Sequence, residues 1–123
     1  MTAVLVALLG GLGAATRFVV DGLIRARWTS TFPVATVVIN VSGSAVIGLL
    51  LGARLYHGLD PTWQVVAAAG FCGGYTTFST AMVETVRLVQ GGAYRHAVAN
   101  AVGSFALALA AAAAGVAVMR ALS

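Results

Sequence analysis

The chain has no lysine, and its 123 residues include only three acidic side chains, Asp21, Asp60 and Glu84. Charged residues make up 8% of it, against roughly 25% in an average soluble domain. With 60% hydrophobic residues, a soluble domain this small has too little interior to hide its apolar surface, so the lipid bilayer is the expected solvent. The seven arginines are scattered and form no basic run interleaved with aromatics, so the net charge of +4 does not describe a nucleic-acid surface. A single cysteine, Cys72, excludes an intrachain disulfide, and it lacks the companions a metal site needs. It reads as a small buried residue. No nucleophile–base pair is visible, which argues against an enzyme. His57 and His96 fall near loop ends and read as interfacial. The N-terminus is apolar almost from Met1, with no basic n-region and no convincing cleavage site, so it reads as a retained helix.

What the chain has is long apolar runs. A membrane helix needs about 20 mostly apolar residues. Four segments qualify, at approximately 3–23, 33–55, 62–90 and 94–119, and they predict an all-α protein of one four-helix domain in the cell membrane. Only two prolines occur, and both suit helix starts: Pro33 opens the second span, and Asp60-Pro61 caps and opens the third. Gly91 and Gly92 end the third span. The short connections make neighbouring helices antiparallel. Arg17, Arg25, Arg27, Arg87 and Arg95 gather toward loops one and three, against Arg54 and Arg120 on the other side. The positive-inside bias therefore predicts that loops one and three face the cytoplasm. Asp21 is spaced to pair with Arg17 or Arg25. Small residues such as Gly10, Gly11, Gly13, Gly43, Ser44 and Gly48 favour close helix packing. Four thin helices enclose a polar path poorly, so an oligomer is expected.

The third span is hostile to a helix from Gly70 to Thr80, where three glycines meet a run of Thr and Ser. Unpaired backbone groups cost several kcal/mol in hydrocarbon, so irregular backbone survives there only if protein buries it or water reaches it. The segment predicts a mid-membrane break and an ion or substrate site.

Gly10-Gly11-Leu12-Gly13-Ala14-Ala15-Thr16-Arg17-Phe18 resembles the first-helix signature of the small fluoride channels, the Fluc or CrcB family. Thr36-Val37-Val38-Ile39-Asn40-Val41-Ser42-Gly43 is similar to its second-helix pattern. Asp60-Pro61-Thr62-Trp63, followed by Gly70 to Thr80, is similar to its third-helix start and break. The resemblance covers essentially the whole chain. It implies an antiparallel, dual-topology dimer with two fluoride pathways at the subunit interface. It also implies a central structural sodium ion held by main-chain carbonyls, for which the motif points to Gly73 and Thr76. The implied activity is passive fluoride export, giving fluoride resistance.

Fluoride is small and strongly hydrated, and its path needs donors or positive partial charge without a trapping full charge. Phe78 matches a pore-facing ring whose positive edge can meet an anion; unaided by the motif it reads as a packed aromatic. Asn40, alone in an apolar stretch, reads as helix–helix glue or, with the motif, as a fluoride-path donor. Thr36, one turn earlier, either lines the route or bonds its own backbone. Asn100 and Ser104 share a face of the fourth helix and match a polar track, while Ala108 stands where a hydroxyl is expected next. Ser79 and Thr80 are further donors, with the same ambiguity as Thr77. Arg17 either attracts fluoride in a vestibule or ties the first helix to the broken one, and Glu84 is the other intramembrane or near-interface charge. The chain departs from the family at Ala81, where a second phenylalanine is expected. An equal dimer and a dimer with a paralogous partner supplying that ring both remain open. So do a small proton-coupled drug exporter and a non-conducting partner subunit.

Overall fold

The computed structural model describes residues 1–123, and the chain is entirely helical, without strands. Helix α1 spans Thr2–Arg27 and α2 spans Val34–His57. Helix α3 covers residues 61–75: an α turn at Pro61–Val65, a π segment at Val66–Cys72 and an α turn at Gly73–Tyr75. After an interruption at Thr76 and Thr77, α4 spans Phe78–Gln90. Helix α5 runs over Tyr94–Ala121, with a π segment at Ala99–Gly103. Three of these helices, α1, α2 and α5, are long and apolar enough to cross a membrane.

Local chemistry sets the ends. Asp60 Oδ1 accepts the Thr62 N–H at 2.8 Å and Pro61 fills the first helical position, as the dipeptide predicts. Gly58, with φ of 72°, lets the chain leave α2 in the left-handed conformation. Pro33 lies just outside α2, its carbonyl accepting the Val37 N–H at 3.2 Å. Helix α1 runs past Leu23 and carries Arg25, because the Arg25 guanidinium reaches Asp21 one turn back at 2.8 Å and Glu84 of α4 at 3.6 Å.

Two contacts fix how the helices run. Phe32, after α1, packs on His96, at the start of α5, with ring centroids 6.0 Å apart. The first and third connections therefore share one end of the molecule. At the other end, His57 at the close of α2 is 2.7 Å from the Met119 carbonyl in the last turn of α5. The interrupted α3–α4 pair begins at this second end and finishes at the first.

Helix α1 packs along α3, and α2 packs along the second half of α5. Both seams are made of backbone against backbone. A Cβ on Gly74 would overlap the Gly10 carbonyl of α1, and one on Gly115 would lie 2.6 Å from the Ala45 carbonyl of α2. The structure narrows the sequence expectation for the break to two residues within Gly70–Thr80. Gly70, Gly73 and Gly74 all stay helical, and the missing side chains of Gly70 and Gly74 admit α1. The helix ends only at Thr76, and Thr76 and Thr77 are extended, with φ/ψ of −79/159° and −147/119°. The large apolar side chains mostly point outward, among them Leu8, Leu12, Phe18, Leu109 and Val118. That surface suits lipid or another subunit, not water.

Candidate functional site

The interruption frees backbone groups, and one side chain takes up two of them. Asn40 of α2 donates from Nδ2 to the Thr77 carbonyl at 2.8 Å, and its Oδ1 accepts the Thr77 N–H at 2.8 Å. The amide thus replaces both helical hydrogen bonds at the residue that has left the helix. Thr77 then starts α4 by accepting the Thr80 N–H on Oγ1 at 3.2 Å. Because the Thr77 N–H is spent on Asn40, the Gly73 carbonyl loses its helical donor. The Thr76 carbonyl accepts from Arg17 of α1 at 3.3 Å. Arg17 thereby ties α1 to the interrupted helix. Asp21 pairs with Arg25, not with Arg17.

The clamp aims the first turn of α4 into a groove of about 370 Å³ between α2, α4 and α5. Asn40, Ser44 and Ile47 line it from α2; Thr76 and Thr77 line it from the break. Phe78, Ala81 and Met82 come from α4, and Asn100, Ala101, Ser104, Phe105 and Ala108 from α5. The Phe78 ring is 78% exposed, so it stands on the open side of the groove. Four residues anticipated together, Asn40, Phe78, Asn100 and Ser104, do meet here.

Their hydrogen bonds are less free than the sequence implies. Asn100 is only 1% exposed and donates from Nδ2 to Thr85 Oγ1 at 2.8 Å and to the Ala81 carbonyl at 3.3 Å. Its Oδ1 accepts the Ser104 hydroxyl at 3.1 Å. Both Asn100 protons and the Ser104 proton are therefore directed into the protein. Asn40 keeps one N–H beyond the clamp. Replacing Thr85 by valine removes an Asn100 acceptor, and we expect a loss of about 1–3 kcal/mol in stability, measured as a lower SDS midpoint of unfolding in detergent.

A family model described as "CrcB-like protein, Camphor Resistance (CrcB)" matches residues 4–116. The chain belongs to the CrcB family. Among its curated relatives, "Fluoride-specific ion channel FluC 1" of Leifsonia xyli subsp. xyli is 52% identical over 110 residues, covering 89% of this chain and 80% of that protein. "Fluoride-specific ion channel FluC 2" of Cutibacterium acnes is 48% identical over 92 residues, covering 74% and 75% respectively. "Fluoride-specific ion channel FluC 3" of Bifidobacterium longum is 40% identical over 112 residues, covering 91% and 93%. The family and the apolar helices together make this a multi-pass membrane protein.

Other residues singled out in this CrcB chain lie elsewhere. Ser79 and Thr80 line a separate depression with Arg25, Val83, Glu84 and Arg87. Thr36 is buried and lines neither space. Its hydroxyl donates to Glu84 Oε1, not to its own backbone. Glu84 is thus held between Thr36 and Arg25. The sequence reading missed Thr85, Met82, Phe105 and the pair Ser42–Tyr75. The Ser42 proton goes to the Ile39 carbonyl at 3.1 Å, so the Tyr75 hydroxyl 3.0 Å away is the donor to Ser42. Spacing was the available signal for Phe105, which follows Ser104 and lies four residues beyond Ala101 on the groove face.

Proposed function

We propose that this protein is a subunit of a fluoride-selective channel giving passive fluoride export, and that the groove beside the helix break is its share of the pathway. The observation that carries this reading is the Asn40–Thr77 clamp, which holds Phe78 on the rim of a groove in a chain whose relatives are named fluoride-specific ion channels. The α3 segments of 5, 7 and 3 residues on one side of the break, and the 13 residues of α4 on the other, favour a break near mid-membrane.

Fluoride entering such a groove exchanges water for partial charges. The second Asn40 N–H and the edge of the Phe78 ring are neutral partners that attract an anion without trapping it. Ser104 and Asn100 contribute protons only if their internal bonds turn outward, so they serve as reserve donors. Ser79 and Thr80 line the approach, in the depression where Arg25 and Arg87 stand. Thr36 acts indirectly by holding Glu84, and Arg17 fixes the break.

The groove is open along one side, which favours closure by a second subunit, antiparallel in the reading that the resemblance implies. Equal and paralogous partners both fit, since Ala81 offers no ring. Gly73 and Thr76 suit the sodium ion of that reading: the Gly73 carbonyl lacks its helical donor, and the Thr76 carbonyl has one lone pair beyond its bond to Arg17. When bound, the ion supplies positive charge that offsets the field of a passing anion. A proton-coupled exporter is not favoured, because Glu84 is already engaged by Thr36 and Arg25.

Expression in a bacterium stripped of its own fluoride exporters tests the function in cells. Growth should return at fluoride concentrations that arrest the parent strain. Membrane-inserted protein that restores no growth, alone or with a paralogous partner, would remove the channel reading.

A further inference from the structure

The groove has few positive partial charges left to offer an anion. Asn100 has spent both N–H groups, Ser104 has spent its proton, and Asn40 has one N–H remaining. Beyond that N–H and the Ser44 hydroxyl of α2, what remains unspent is aromatic. Phe78 from α4 and Phe105 from α5 both line the groove, and their residues are 78% and 71% exposed. Neither ring makes an aromatic pair that would occupy its edge. Ala81, also in the lining, is 7% exposed and has only a methyl to present.

We propose that Phe105 is a pathway residue of this chain: a second ring, on a different helix from Phe78, whose positive edge contacts fluoride in the groove. A ring edge attracts an anion by its quadrupole and cannot hold it as an ammonium or guanidinium would. Two edges from two helices give the ion a partner at successive steps where the side-chain amides are committed elsewhere. Phe105 also follows Ser104 directly, so the ring adjoins the one hydroxyl on α5 that could turn toward the ion. The proposal rests on the fluoride-channel reading.

The test compares wild type, Phe105→Leu and Phe105→Trp, each purified at full length, for fluoride efflux from liposomes and for elution on size exclusion. Leucine keeps apolar bulk without a ring, and tryptophan keeps a ring. We expect Phe105→Leu to lower fluoride efflux by about tenfold with an unchanged elution profile, and Phe105→Trp to stay within about threefold of wild type. Wild-type flux from Phe105→Leu overturns the proposal and leaves the channel reading standing. Equal losses in both variants, or a shifted elution profile for Phe105→Leu, assign Phe105 to packing and overturn it as well. Absence of fluoride flux from the wild type, alone and with a paralogous partner, removes both readings.

Discussion

Asn40→Asp lowers fluoride efflux by at least about a hundredfold. The substitution changes one atom of the clamp from donor to acceptor, so a carboxylate oxygen faces the Thr77 carbonyl where Nδ2 donates at 2.8 Å. It also places a negative charge on the groove wall. At roughly 5 Å and an effective dielectric constant of about 20, that charge opposes an anion by about 3 kcal/mol, or about two orders of magnitude in rate. Loss of the clamp bond adds to this by about 1–3 kcal/mol, because the Thr77 carbonyl loses the Asn40 donor and faces an oxygen in its place. Electrode traces from liposomes carrying equal amounts of wild type and variant make the comparison. An Asn40→Asp protein that keeps more than about a tenth of the wild-type flux would separate the groove from the conduction path.

Gly74→Val prevents assembly of the fold. The new Cβ would overlap the Gly10 carbonyl oxygen and lie 2.8 Å from the Gly10 carbonyl carbon. These are backbone atoms of α1, which cannot swing aside as a side chain does. The α1–α3 seam must open, and the Arg17 bond to the Thr76 carbonyl opens with it. Overpacking a tight site costs about 1–3 kcal/mol, and a backbone clash along a helix seam belongs at or above the upper end. The expected result is an aggregated detergent extract, or an SDS midpoint of unfolding far below that of the wild type. Gly22→Ala is the matched control: nothing lies within 4 Å of its Cβ, and the change should be neutral or stabilising by about 0.4–1 kcal/mol.

These two substitutions show where the sequence was informative and where it was not. Composition and apolar length alone pointed to a helical membrane protein, because the bilayer forces a long uninterrupted signal. The Asp60-Pro61 cap was legible because its chemistry is local. The break was legible as a disturbance but not as a position. Glycine is equally at home in an unwound chain and in a tight seam, and only the approach of α1 shows that Gly70 and Gly74 serve the seam. Asn40 stood out as a polar residue in an apolar span, but its partner Thr77 is 37 residues away. The Thr36–Glu84 and Arg17–Thr76 bonds join residues 48 and 59 apart. No periodicity encodes such distances. Sequence adjacency groups Ser79 and Thr80 with Phe78, whereas the rotation of about 100° per residue along α4 turns them away from the groove and toward Arg25 and Arg87.

The most direct measurement of the central claim is fluoride efflux from liposomes reconstituted with the purified full-length chain, read by a fluoride electrode, with chloride as the control anion. The account predicts rapid fluoride release without an imposed proton gradient, supplied by this chain alone or with a paralogous partner, and no chloride release under the same conditions. Liposomes that retain fluoride in both arrangements, or that release fluoride and chloride alike, would contradict it.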